Sequence, residues 1–247
     1  MKPVFSKSRI IRIPQTASTN KYLLQLSKQQ TLTEGTALVT DQQTHGRGHG
    51  NSSWESEPGA NLTFSILLYP SFIHASQQFI LSKAISLAVY DFLSPLVADV
   101  AVKWPNDVYV AEQKIAGILI ENFMIDDDLT KSIAGIGLNI NQIHFLSDAP
   151  NPVSLRQLTG KIYLLENSLQ TLHTCIANRY RMIIENEEKL NSDYLQHLYR
   201  YGKMSRYSAS GIFFNATITG INQYGMLEMT TNYGDHKTFG FKEVEFL

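Results

Sequence analysis

The chain has 247 residues, 43% apolar and 17% charged, enough for one large domain or a medium domain with a small one, and it lacks the composition of a disordered protein. With 21 basic and 22 acidic residues the formal charge is −1, which argues against a protein whose main task is gripping nucleic acid. A single cysteine, Cys175, excludes an intrachain disulfide framework and a multi-cysteine zinc site, and no run approaches the ~20 apolar residues of a membrane span.

Met1 to Pro14 is basic but has no signal-like apolar stretch, so a soluble, cytoplasmic protein is expected. Ser8–Ile13 reads as a strand. Ser18, Thr19 and Asn20 offer capping side chains to a helix that carries Tyr22, Leu23 and Leu26 at helical spacing. Ala37–Thr40 is a short strand running into a polar loop, Asp41 to Ser53. Leu62, Phe64, Ile66 and Leu68 alternate with Thr63, Ser65 and Leu67, which predicts a strand with one strongly buried face. Phe79, Ile80, Ala84, Leu87 and Ala88 trace one face of a helix over about 76–93. Strands are expected at Val100–Trp104, Val108–Val110, Lys114–Phe123 and Ser132–Ile140, with a tight turn at Asp126–Asp128. Helix returns at Ser154–Leu158 and between Leu165 and Leu190, where Cys175 lies in an apolar-periodic run and reads as a structural thiol.

The sum is an α+β domain, a mixed sheet with packed helices, over residues 1–190. A linker, 191–205, follows. From Arg206 to Leu247 short strands are interrupted by Gly211, Gly220, Gly225 and Gly234, as turns in a small barrel would be. A unit of about 40 residues is too small to stand alone and should pack on the main domain.

Four segments carry chemistry. Gly46-Arg47-Gly48-His49-Gly50-Asn51 lets backbone N–H groups approach an anion closely, with Arg47 as a bidentate fork, although a loop between strands reads the same way. His45 and His49 sit on a glycine loop without a carboxylate cluster, so no dedicated metal cage is expected. Lys103-Trp104-Pro105-Asn106-Asp107 gathers a cation, an indole, an amide and a carboxylate, suited to phosphate, a purine and magnesium, or to a strand ending in a turn. Lys114 opens the apolar strand Ile115-Ala116-Gly117-Ile118-Leu119, either as an idle strand edge or as a fixed charge beside small residues that leave room for a ligand. Gly135-Ile136-Gly137-Leu138-Asn139 places two glycines in a strand, a sign of close approach by a ligand or backbone, with Asn139 free to read a ribose or purine edge.

Taken in order, Ser18-Thr19-Asn20, Gln43 with the Gly46–Gly48 loop, Trp54 with Gly59-Ala60-Asn61-Leu62, Lys103–Asp107, Lys114–Leu119 and Gly135–Asn139 resemble biotin–protein ligases over about residues 8 to 140. The resemblance implies the fold shared with class II aminoacyl-tRNA synthetases and lipoate ligases, with a small Src-homology-3-like β-barrel at the C-terminus. It also implies an adenylate-forming ligase that uses ATP with Mg²⁺ to make biotinyl-5'-AMP and transfers biotin to a lysine of a biotin carboxyl carrier protein. By that resemblance Ser18, Thr19, Asn20, Gln43 and Gly46 belong to the biotin side, with Gly117, Leu119 and Gly135 as pocket walls. Trp54, Lys103, Asn106 and Asn139 fall on the ATP side. Arg47 and Lys114 serve both sides, and Asp107 lies near magnesium or the incoming lysine.

Two departures stand out. His49 occupies the place of a second arginine and Gly50-Asn51 inverts the usual ending, so weaker loop closure is expected. The chain also begins almost at the catalytic domain, which matches a short form without a DNA-binding domain and makes DNA and membrane unexpected partners. A carrier is expected to dock by sheet-edge pairing, and the same edge could serve a homodimer. A lipoate ligase, a non-catalytic biotin- or nucleotide-binding regulator and a nucleic-acid binder built on the tail are the rival readings; pyrophosphate release separates the enzymes from the regulator.

Overall fold

A computed structural model describes residues 5, 8–50, 52–146 and 151–247. Seven strands form a mixed sheet in the order β1-β2-β3-β7-β6-β5-β4. They are β1 (Ile10–Thr16), β2 (Ala37–Gln43), β3 (Leu62–Leu68), β4 (Val100–Lys103), β5 (Asp107–Val110), β6 (Gln113–Ile125) and β7 (Asp128–Leu138). Only β1 and β2 run parallel, with α1 (Thr19–Gln29) as their crossover; every other pairing is antiparallel.

β3 explains how the sheet is clothed. Its seven residues are all buried, so both faces are covered and not one, as its alternation predicts. Leu62, Phe64, Ile66 and Leu68 enter the large core with α2 (Phe79–Leu93) and α4 (Leu165–Glu185). On the other face Leu67 packs with Leu23 of α1, Leu38 and Ile133. Thr63 and Ser65 share Leu67's parity and are buried too, because α1 and the cavity described below cover them. The polar half of an alternating strand is thus the floor of a site.

α2 is apolar nearly all round and eleven of its fifteen residues are buried. α4 shows the expected stripe, Leu169, Leu172, Ile176, Tyr180 and Ile183, and Cys175 is half-buried beside it, its thiol pKa raised by burial. The single helix read between Leu165 and Leu190 is broken at Asn186, whose side chain caps α5 (Glu187–Gln196). Arg179 ties these helices together, with Nε 2.6 Å from Asp91 Oδ2 on α2 and Nη1 2.6 Å from Asp193 Oδ2 on α5. α3 (Leu155–Thr159) starts from a Ser154/Gln157 capping box.

The C-terminal strands β8 (Met204–Ala209), β9 (Ile212–Ile221), β10 (Leu227–Thr231), β11 (His236–Phe239) and β12 (Glu245–Phe246) form an antiparallel sheet in the order β11-β10-β9-β8-β12. Gly211, Gly225 and Gly234 have positive φ at turns, but Gly220 lies inside β9 opposite Glu228, next to a register shift. The residues expected as a linker, 191–205, contain the second half of α5 and the start of β8. Residues 197–199 also line the outer edge of β4: Val102 N donates to His197 O and Tyr199 N to Val102 O. Tyr207, Ala216, Ile218, Leu227 and Met229 join the same core as Phe79 and Trp104, so the tail is not separately cored. Among the described residues no helix is long and apolar enough to cross a membrane.

Candidate functional site

On the α1 face, a cavity of about 380 Å³ opens between β3, β6 and β7, the glycine loop, the Lys103–Asp107 turn and the C-terminal unit. That size lies within the usual range for ligand pockets. Ser18, Thr19, Asn20, Gln43, Arg47, Trp54, Lys103, Asn106, Asp107, Lys114, Gly117, Leu119 and Gly135 all line it. Of the predicted residues, Gly46 and Asn139 do not.

The N-terminal end of α1 builds one wall. Ser18 is the N-cap by position, but no side chain among Ser18, Thr19 and Asn20 caps the helix. Instead Gln43, brought alongside by the parallel β1–β2 pair, caps it: Oε1 accepts from Thr19 N at 2.9 Å and Thr19 Oγ1 at 3.2 Å. Ser65 Oγ donates to Thr19 Oγ1 at 2.7 Å or Asn20 Oδ1 at 2.6 Å. Asn20 Nδ2 reaches Leu119 O at 3.2 Å and Glu121 Oε2 at 2.8 Å. Thr19, Asn20 and Ser65 are at most 3% exposed, so this is a buried network whose members fix each other's orientation.

β6 and β7 supply the floor. Their register places Gly117 opposite Gly137 and Leu119 opposite Gly135. The close approach signalled by these glycines is made by side chains of the chain itself. A β-carbon on Gly135 would lie 2.5 Å from Asn20 Oδ1, and one on Gly137 2.2 Å from the Trp54 indole. Trp54 also lies over Gly117, and its buried Nε1 has no hydrogen-bond partner among the described residues. An indole donor left unsatisfied in a cavity is a point where a ligand acceptor would be favoured.

Asn106 holds the Lys103–Asp107 turn on β6, donating Nδ2 to Ile118 O at 2.9 Å and accepting Ile118 N at 2.8 Å. Asp107 pairs with Gly117 in the ladder and faces Lys114, whose Nζ lies 2.7 Å from Oδ1 as an ion pair without hydrogen-bond alignment. Both side chains keep about a fifth of their surface exposed (23% and 22%), so the pair remains open to the cavity. Lys103 Nζ donates to Tyr109 Oη at 3.2 Å and lies 4.3, 5.6 and 5.2 Å from the ring centroids of Tyr109, Tyr199 and Phe246. Desolvation lowers its pKa, and Asp107 opposes that shift. Trp104, expected as an indole for a purine, is 3% exposed and donates Nε1 to Gly225 O at 2.8 Å, joining the turn to the C-terminal unit.

The glycine loop folds back on itself. Arg47 bridges Ser53, Trp54 N donates to Gly46 O at 3.0 Å, and Gly48 N to Ser52 O at 2.7 Å. Arg47 Nη2 lies 3.2 Å from Glu121 Oε1. The His49 ring meets Phe241 edge-on at 5.0 Å, and His45 Nδ1 pairs with Thr44 Oγ1. Asn51 lies outside the described residues, so its part in the loop ending is not placed. Among the described residues no group of three or more His, Cys, Asp or Glu could hold a metal ion.

Asn139, one residue past the end of β7 at Leu138, is not among the residues lining the cavity; its side-chain amide is turned to the segment before α3. Its Nδ2 donates to Val153 O at 3.1 Å and its N to Ile115 O at 2.9 Å, so it secures the segment before α3. Sequence reasoning missed Phe241, Lys242, Val244, Glu245 and Phe246, which line the cavity from the C-terminal unit. Their signal is tertiary: β12 pairs with β8 in the C-terminal sheet, and Phe241 and Phe246 meet Trp104 and Lys103 of the main sheet's turn.

A cation-lined cavity on the polar face of a mixed sheet defines a small-molecule-binding α+β protein. The biotin/lipoate A/B protein ligase family matches residues 12–139. The biotin–[acetyl-CoA-carboxylase] ligase of Paracoccus denitrificans is 32% identical over 180 residues, 67% of this chain and 70% of that protein. The chain belongs to the biotin/lipoate A/B protein ligase family. The bifunctional ligase/repressor BirA of Bacillus subtilis is 29% identical over 225 residues, 83% of this chain; the match spans 65% of that relative's length, just under two thirds. Among solved structures, the biotin protein ligase from Aquifex aeolicus in complex with biotin and ATP superposes with a TM-score of 0.79 at 26% identity, over 97% of this chain and 98% of that one.

Proposed function

We propose that this protein is an ATP-dependent biotin–protein ligase that forms biotinyl-5'-AMP and transfers biotin to a lysine of a biotin carboxyl carrier protein. The observation that carries the reading is the Lys114–Asp107 pair, set in one cavity between the Thr19/Asn20/Gln43/Ser65 network and the glycine loop. The relatives and the Aquifex complex with biotin and ATP support it.

In this reading MgATP and biotin are the substrates. In that reading the interlocked amides and hydroxyls of Thr19, Asn20 and Gln43, with Ser18 beside them on the cavity wall, face the polar ureido ring, and Gly117, Leu119 and Gly135 wall the pocket. A biotin carboxylate oxygen attacks the α-phosphorus and pyrophosphate leaves with its magnesium. Two anions must meet, and fixed cations held in a water-poor site lower that barrier most effectively. Lys114 is already oriented by Asp107; Arg47 reaches the same place once it leaves Glu121. Trp54, Lys103 and Asn106 serve the nucleotide side, where the unpaired indole N–H is an open donor.

The carrier lysine then attacks the acyl carbon and AMP departs. That amine must be neutral, and in this reading Asp107 positions or deprotonates it. The edge of β1 offers backbone groups for strand pairing by a carrier or a second copy, because residues 197–199 already occupy the opposite edge. The reading includes a cytoplasmic location and treats residues 1–190 as the catalytic unit with the C-terminal sheet as its partner wall.

The test is ATP-dependent labelling of a biotin carrier domain, read by avidin blot beside a lipoate-carrier control. A biotin signal requiring ATP and Mg²⁺ is the expected result. Lipoate transfer without biotin transfer would move the chain to the lipoate branch of the family, and silence with both would favour a binding regulator.

A further inference from the structure

Lys242 has a backbone that its side chain does not favour. It sits at φ +65° in a tight turn, where Glu243 N donates to Gly240 O at 3.2 Å and Gly240 N to Glu243 Oε2 at 2.6 Å. Glycine adopts that conformation without strain, and lysine does not. What a lysine adds at such a point is its side chain, and strained positions of this kind concentrate at ligand sites.

The side chain reaches the cavity. Lys242 lines it, and a β-carbon on Gly50 would come within 2.6 Å of Lys242 Nζ, so the ammonium rests against the tip of the glycine loop. The neighbouring Phe241 anchors the turn, meeting Trp104 at 5.4 Å and His49 at 5.0 Å.

The cavity's other cations already have partners. Lys114 faces Asp107, Arg47 faces Glu121, and Lys103 is held by the Tyr109 hydroxyl and three rings. Lys242 has no ion pair among the described residues, although it lies beside a loop whose N–H groups suit phosphate oxygens.

We propose that Lys242, carried by the C-terminal unit, is a binding residue for the outer phosphates of a nucleoside triphosphate, holding the pyrophosphate group across the cavity from Lys114. The proposal rests on the ligase reading for its substrate. It gives the C-terminal unit a direct share in nucleotide binding. It also accounts for a lysine where glycine would relieve the turn.

The experiment compares wild type with Lys242→Gly and Lys242→Asn, both compatible with positive φ, so neither change disturbs the turn. Biotin-dependent ATP–pyrophosphate exchange gives the KM for MgATP, and titration calorimetry gives binding of magnesium pyrophosphate and of biotin. Because the ammonium is exposed and partly screened, the expected rise in KM and the weakening of pyrophosphate binding are each about five- to tenfold. Biotin affinity should change less than twofold, and Lys242→Arg should retain the wild-type values. Unchanged KM and unchanged pyrophosphate binding in both neutral variants would overturn the proposal. A wild type without biotin-dependent exchange would instead count against the ligase reading, and pyrophosphate calorimetry would still decide the role of Lys242.

Discussion

The two walls of the cavity are built on opposite plans. On the α1 side, Thr19, Asn20 and Ser65 are buried and hydrogen-bonded to one another and to the half-buried Gln43, a surface finished before any ligand arrives. On the glycine-loop side, Arg47 is spent on Glu121 and the Trp54 indole lies on Gly117 and Gly137 with an unpaired N–H. A preorganised wall gives selectivity at low entropic cost, whereas a loop held by weak internal contacts can open, admit a ligand and close again. In the proposed ligase reading, recognition of the smaller substrate falls to the rigid wall and capture of the reactive intermediate to the movable one.

The contrast can be broken most severely at the junction of the walls. Lys114→Ala should lower adenylate formation by on the order of 10²-fold or more, with the fold intact, since it removes a preorganised charge from the reacting centre. Single-turnover pyrophosphate release measures this, and a wild-type rate would remove Lys114 from the mechanism. A smaller effect is expected at the tip of the loop, where His49 stands in place of an arginine. The ring contact with Phe241 is worth about 0.5–1.5 kcal/mol, so His49→Ala should increase escape of biotinyl-adenylate roughly two- to tenfold, read as labelling of bystander lysines. No increase would mean that this contact does not hold the loop.

The movable wall can also be sharpened. Arg47–Glu121 is a half-exposed pair, worth about 0.2–1 kcal/mol. Glu121→Gln keeps an acceptor for Asn20 yet releases Arg47, and should tighten binding of biotinyl-adenylate analogues by about two- to fivefold. Weaker binding would mean that Glu121 supports the closed loop.

Far from both walls, Arg179→Ala should leave substrate binding unchanged while destabilising the helix layer by about 2 kcal/mol, or about 4–8 °C in Tm, because it strands Asp91 and leaves Asp193 with Lys189 alone. Burial pushes the Asp193 pKa up, but the hydrogen bonds from Lys189 and Arg179 outweigh it and leave the folded-state value lowered. The stability this carboxylate contributes is therefore present above the unfolded value, about 3.9, and lost as pH falls through the lower folded value. Thermal melts at decreasing pH should show the gap between variant and wild type closing below about pH 4.

Much of this was legible in the sequence, and the limits have physical causes. β3 was placed residue for residue because its alternation is strong, yet its second buried face was missed, since Thr63 and Ser65 are polar for the sake of a site and not of solvent. The glycines at 117, 135 and 137 did signal close approach, but nothing local names Asn20 and Trp54 as what approaches. Asn139 follows the parity of the floor, but its amide is taken up by Val153 O, a partner 14 residues on that nothing local announces. Phe241 and Lys242 could not be foreseen, because a turn over 100 residues from the Lys114 strand reaches the site only through the packing of a second sheet. That packing also changes what a truncation would report. The strands after Met204 share the main core, so removing them exposes Phe79 and Trp104 and tests stability as well as transfer.

The most direct test of the account is pyrophosphate release by the wild-type protein in a single turnover with MgATP, with biotin present, omitted or replaced by lipoate. The account expects about one pyrophosphate per protein with biotin, and little with lipoate or with no acid. Release that ignores the acid supplied, or none with biotin, would contradict it.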